Sequence, residues 1–182
     1  MTIKQLNATY LAADDRLLFR FNTVEDKEFR FWFTRRVTLF ILAATQHLIV
    51  KSLEQNHSSE AAKALAEFGK EALQVNQGSQ GKAQIDSYVP ANQYPLGADP
   101  VLVVDVKCAL EKQGSDEVLS MDLLLPGNAN INLKLVGPIL QAMCILLNQL
   151  REHAAWGELP KVVDASVHNI AKEPEGKKPL MH

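Results

Sequence analysis

Residues 28–50, EFRFWFTRRVTLFILAATQHLIV, change their hydrophobic period once, and that change decides the fold. Phe29, Phe31 and Phe33 alternate with Glu28, Arg30 and Trp32, so a strand with one apolar and one mixed face is expected here. From Thr34 onward the apolar residues fall at helical spacing. Val37, Ile41, Ala44 and Leu48 mark one side, and Leu39, Leu42, Ile49 and Leu53 another. Thr34 suits the N-cap, because its hydroxyl can accept an orphan N–H at the helix start. Only Thr38, Thr45 and Ser52 form a thin polar seam. A helix apolar nearly all round is normally buried. Gln46 and His47 cut the apolar run at roughly a dozen residues, short of the about 20 that a bilayer span needs.

Residues 130–150, NINLKLVGPILQAMCILLNQL, follow the same plan. Ile131, Leu133 and Leu135 alternate with Asn132 and Lys134, Gly137-Pro138 turns the chain, and a second apolar helix follows to about 156. Gly157 is placed to end that helix. Two further strands precede each unit. In 16–22, Leu17, Phe19 and Phe21 share a face, and in 118–125, Leu119, Met121, Leu123 and Leu125 do. Residues 2–12 and the run VLVVDVKCAL from 101 supply the remaining strands. An offset of 102 superposes the two strand patterns. The helix seams need 103, which one extra residue at Gly137-Pro138 accounts for.

These patterns predict an α+β fold of two tandem βββα lobes, pseudo-duplicated antiparallel sheets packed on apolar helices. Residues 1–75 hold the N-terminal lobe plus a surface helix, whose stripe Ala61, Leu65, Phe68 and Ala72 is expected to face inward. Residues 76–100 read as a linker with an edge strand near 85–89, 101–157 as the C-terminal lobe, and 158–182 as a mostly disordered tail. Each helix is apolar on more sides than one sheet covers, so the rest must pack between lobes or between chains. A homodimer is the expectation.

The composition removes several functions. With 19 basic and 21 acidic residues, the net charge of −2 gives no whole-protein attraction to nucleic acid or to an anionic membrane. The start, MTIKQLNATY, has no apolar signal core, so the expected location is cytoplasmic. Gly78-Ser79-Gln80-Gly81-Lys82-Ala83 is too short for a phosphate loop, and no Ser or Thr follows the lysine. The five histidines are scattered, and Cys108 and Cys144 sit at core positions without catalytic context. No catalytic residue, cofactor site or metal site is assigned.

The expected function is a non-enzymatic binding or assembly module with a protein partner. One surface stands out. Arg16, Arg20, Arg30 and Trp32 share the non-core parity of two neighbouring strands, with Arg35 and Arg36 beside them. A basic sheet face with an aromatic is the form of a single-stranded nucleic-acid platform, which is the alternative function. An enzyme of unknown type is the third.

Overall fold

The computed structural model describes residues 1–79, 87–113, 116–162 and 167–168. β1 (Ile3–Leu11), β2 (Arg16–Thr23) and β3 (Glu28–Thr34) pair antiparallel in sequence order and lead into α1 (Arg35–Glu54). α2 (Ser59–Ser79) follows. β4 (Val101–Leu102) adds in parallel to β3 and completes the first sheet, order β1-β2-β3-β4. β5 (Asp105–Gln113), β6 (Asp116–Leu124) and β7 (Asn130–Val136) repeat the antiparallel plan and lead into α3 (Gly137–His153). β8 (Val167–His168) closes the second sheet, order β7-β6-β5-β8. The fold is therefore α+β, with two βββα units in tandem.

The strand faces follow the period-two pattern. Leu17, Phe19, Phe21, Phe31 and Phe33 are fully buried, as are Met121, Leu123 and Leu133 in the second unit. Across β2 and β3, Phe19 opposes Phe31 and Phe21 opposes Phe29. Phe19 and Phe33 stack with centroids 4.6 Å apart, and Phe21 and Phe29 at 5.0 Å. Thr34 caps α1 through its Oγ1, which accepts from the Val37 N–H at 3.3 Å.

The helices depart from a lobe-by-lobe arrangement. α1 springs from β3 yet lies against β5, the first strand of the other unit. α3 springs from β7 yet lies against β1. The helices also touch each other, and one apolar cluster runs through both units. This exchange answers the covering problem: each helix meets both sheets. Leu42 and Leu147 are thereby buried, while Leu39 and Leu140 stay half-buried and Ile49 exposed. The seam threonines Thr38 and Thr45 are buried as well. Thr38 satisfies its hydroxyl by donating to the Thr34 carbonyl at 3.1 Å. α1 is long and apolar enough to cross a membrane by length and composition, but Val37–Thr45 are spent on this core except for half-buried Leu39.

The offset of 102 runs through β2, β3 and the helix starts, and it sets buried Ile41 and Thr45 on buried Met143 and Leu147. No residue is inserted at Gly137-Pro138. The register changes instead in the first hairpin, where β5 and β6 continue pairing to Gln113 and Asp116 while β1 and β2 stop at Leu11 and Arg16.

Other departures have local causes. The run from 101 is two strands, because Val103 and Val104 cross from one sheet to the other: Val103 N–H donates to Trp32 O, and Val104 N–H to Leu124 O. Residues 76–79 continue α2, and Ser87–Val89 form no strand. Residues 85–86, in the expected edge strand, lie outside the described residues. α2 turns its small side inward. Ala62 is fully buried, whereas Leu65 and Phe68 are 43% and 70% exposed. Small residues let two helices approach closely, and Gln46 of α1 donates to Glu67 across that contact at 3.0 Å.

α3 stops at His153 rather than near 156. Ala155 takes the left-handed conformation, φ 52°, and the Ala155 and Trp156 N–H groups donate to Glu152 O and Arg151 O. That is a Schellman ending with alanine where glycine is usual. Ala155→Gly should raise stability by about 1 kcal/mol, read as a higher denaturant midpoint. Beyond it the chain stays on the protein: Leu159 and Val162 pack against the core, and Val167–His168 pairs with β5. The rest of the expected tail lies outside the described residues.

Candidate functional site

The outer face of the first sheet carries the basic and aromatic residues. Strand register sets them in rows: Asn7, Arg20 and Arg30 in one; Gln5, Asn22 and Glu28 in the next; Thr9, Leu18, Trp32 and Leu102 on the other side. Each arginine on this face stacks on an aromatic ring. Arg16 lies 4.7 Å from the centroid of Trp32, Arg20 4.6 Å from Tyr88 and Arg30 4.6 Å from Tyr94. Arg16 is also 3.4 Å from Asp14, and Arg20 donates to Asn7 Oδ1 at 2.9 Å.

Tyr88 and Tyr94 belong to the segment 87–99, which crosses half of this face as a strap. Its anchor is Glu28, whose side chain is wholly buried. Glu28 Oε1 accepts from Arg30 Nε at 2.6 Å, and Oε2 accepts from the Ala91 N–H at 2.9 Å. The Glu28 N–H donates to Gln93 O, Asn22 Nδ2 to Val89 O at 2.7 Å, and Arg30 to Ala98 O at 3.0 Å. Burial, then the Glu28 carboxylate, pushes the Tyr88 hydroxyl well above its ordinary pKa. That hydroxyl is buried near Glu28 but completes no geometrically sound hydrogen bond. A buried carboxylate is costly unless paired, so Arg30 holds strap and strand together. Arg30→Ala should cost about 3 kcal/mol in chemical denaturation, the low end for a broken buried pair because the guanidinium keeps some solvent contact. A loss below about 1 kcal/mol would show that Glu28 finds water or another donor.

The six candidate residues therefore divide. Arg16, Arg20, Arg30 and Trp32 do share one face, with Arg20 and Arg30 beneath the strap and Arg16 and Trp32 on the half it leaves open. Half-buried Leu18 and 39%-exposed Leu102 flank Trp32 there. Arg35 and Arg36 turn to the second unit, donating to Trp156 O at 2.9 Å and to Val104 O at 2.7 Å. The corresponding face of the second sheet carries charges of both signs and is self-bonded. Asn132 donates to Ser120 and Asp122, and Lys134 pairs with Glu111 at 3.0 Å, which holds the Glu111 carboxyl below its usual range.

Other reactive groups are engaged structurally. Burial pushes the Cys108 and Cys144 thiols up to about 12 and about 11, so both are protonated and poor nucleophiles at neutral pH. Asp15 accepts from Trp156 Nε1 at 2.6 Å and from Tyr10 Oη at 3.2 Å, and burial and Asp15 raise the Tyr10 hydroxyl pKa. Among the described residues no three His, Cys, Asp or Glu side chains converge.

Sequence reasoning missed the strap, although Tyr88 and Tyr94 were the available signal: two aromatics in a polar segment, matching two outward arginines. It also missed the outward turn of Leu65 and Phe68. The chain matches no protein-family model, no curated protein and no solved structure.

Proposed function

We propose that this protein is a non-enzymatic binding and assembly module that engages a protein partner. The observation that carries this reading is on α2. Leu65 and Phe68 stand 43% and 70% exposed on one helix while Ala62 makes the buried contact. A helix that turns its small residues inward and presents Phe68 to water is arranged for recognition, which favours aromatic anchors. Burying Phe68 alone would contribute about 1.5–3 kcal/mol to a complex.

The test compares a tagged wild-type chain with Leu65→Glu/Phe68→Glu in a pull-down, with circular dichroism to show that both are folded. The reading expects protein captured by the wild type and lost with the variant. Equal capture by both removes α2 from the function.

A second reading, single-stranded nucleic-acid binding, draws on the open half of the first sheet, where Arg16 stacks over Trp32 beside Leu18 and Leu102. It expects quenching of Trp32 fluorescence by a short oligonucleotide, abolished by Arg16→Ala and weakened by salt. The strap engages Arg20 and Arg30 internally, so this reading has less to work with than the first.

A further inference from the structure

We infer that a second copy of this chain adds its β1 antiparallel to β1 and joins the two first sheets edge to edge. It goes beyond the α2 reading, because the copy is placed on the β1 edge, a surface that shares no residue with Leu65 and Phe68.

Hydrogen bonds elsewhere in the sheet show which backbone groups of β1 point away from β2. Glu28 N–H bonds Gln93, and Trp32 O accepts from Val103, so the even residues of β3 point away from β2. The odd residues of β3 therefore bond β2, through Leu17, Phe19 and Phe21. The even residues of β2 then bond β1 at Gln5, Asn7, Thr9 and Leu11. Val24 N–H bonding Thr2 O continues that ladder. What remains on β1 is an outward row, the N–H and C=O groups of Leu6, Ala8 and Tyr10. Among the described residues no strand pairs with this edge.

The second unit shows what such an edge takes. β5 corresponds to β1, and the core-facing pairs Leu6–Phe21 and Val106–Leu123 are equivalent. The same counting leaves Val106, Cys108 and Leu110 pointing outward, and there β8 pairs, with Cys108 opposite Val167. Cys108 is the counterpart of Ala8. Among the described residues, one unit thus has a strand where the other has an open edge.

The chemistry of β1 fits its own copy. A twofold axis at Ala8 sets Leu6 opposite Tyr10 on the core side and Asn7 opposite Thr9 on the outer side. These two central pairs match apolar to apolar and polar to polar, while Gln5 falls opposite Leu11 towards the strand ends. The strand's one charge, Lys4, lies at its start, so the two lysines fall about 27 Å apart, beyond electrostatic reach at physiological salt. β7 is the other long open edge among the described residues, but it is shorter and carries Lys134 within it. A mid-strand lysine guards an edge against pairing; on β1 the lysine and a register shift both lie between Ile3 and Gln5, before the Leu6–Tyr10 row.

The experiment combines light scattering of the full chain at micromolar concentration with residue-resolved amide exchange. The expected mass is near twice 20.2 kDa. The amides of Leu6, Ala8 and Tyr10 should then be protected along with those of Gln5, Asn7 and Thr9, and slowed by about a hundredfold at a hundred times the dissociation constant. Ala8→Pro, which removes an outward N–H, should return the mass to 20.2 kDa. If that variant does not fold, the exchange pattern of the unaltered chain decides alone. A doubled mass with fast exchange at Leu6, Ala8 and Tyr10 overturns the proposal, because the copies then meet elsewhere. A 20.2 kDa mass overturns it too, and leaves the α2 pull-down to decide whether a different protein is the partner.

Discussion

Replacing Phe31 with alanine is expected to lower stability by about 3–5 kcal/mol, or about 10 °C in melting temperature for a chain of this size. Phe31 is fully buried, opposite Phe19 and 6.1 Å from the stacked ring of Phe21. Truncation removes its transfer free energy and leaves a cavity in a wall of five phenylalanines, Phe19, Phe21, Phe29, Phe31 and Phe33, that cannot all shift inward. Leu and Met at this site keep most of the volume and should cost less than about 1.5 kcal/mol. Thermal and urea unfolding of the three variants check the order. An unchanged melting temperature for Phe31→Ala would mean that the phenylalanine face is not the core.

The second large effect is expected at Trp156. It is 2% exposed, and it sits where the second unit ends on the first. Its Nε1 donates to Asp15 in the β1–β2 turn, its ring meets Tyr10 edge-on at 5.6 Å, and its carbonyl accepts from Arg35. The Schellman ending at Ala155 is what swings it there. Trp156→Ala should cost about 3–5 kcal/mol. Trp156→Phe keeps the ring contact and loses the hydrogen bond to a carboxylate, and should cost about 1.5 kcal/mol. Equal losses for the two would show that the bond, and not the packing, holds this junction.

Much of the fold was legible because local patterns decide it. The alternation at Phe29–Phe33 and at Ile131–Leu135 named the buried faces, and the switch at Thr34 named the cap, because strand and helix periods depend on neighbouring residues alone. The crossing of the helices was not legible. Val37 to Leu48 say that a helix is covered on several sides, but not by which sheet. The same limit hid the break at Val103–Val104, where an unbroken apolar run serves two sheets in turn. On α2, Phe68 lies roughly 120° around the helix from Ala62, with Leu65 between them, and hydrophobicity favoured the wrong side. Close approach to α1 selected for small size instead.

The arginine face shows the same division. Parity placed Arg16, Arg20, Arg30 and Trp32 together correctly, since strand register is local to the β2–β3 hairpin. It could not show that a segment some sixty residues away would lie over Arg20 and Arg30. Nor could it show that Arg35 and Arg36 would reach carbonyls of the second unit, because those contacts follow from the helix exchange.

That exchange is the centre of the account: α1 on β5 and α3 on β1 make one core from two units. Calorimetry of the full chain tests it most directly, run alongside Phe31→Ala and Met121→Ala, one core substitution in each sheet. One cooperative transition is expected, shifted as a whole by either substitution. Two transitions, with Phe31→Ala moving one and Met121→Ala the other, would contradict the shared core.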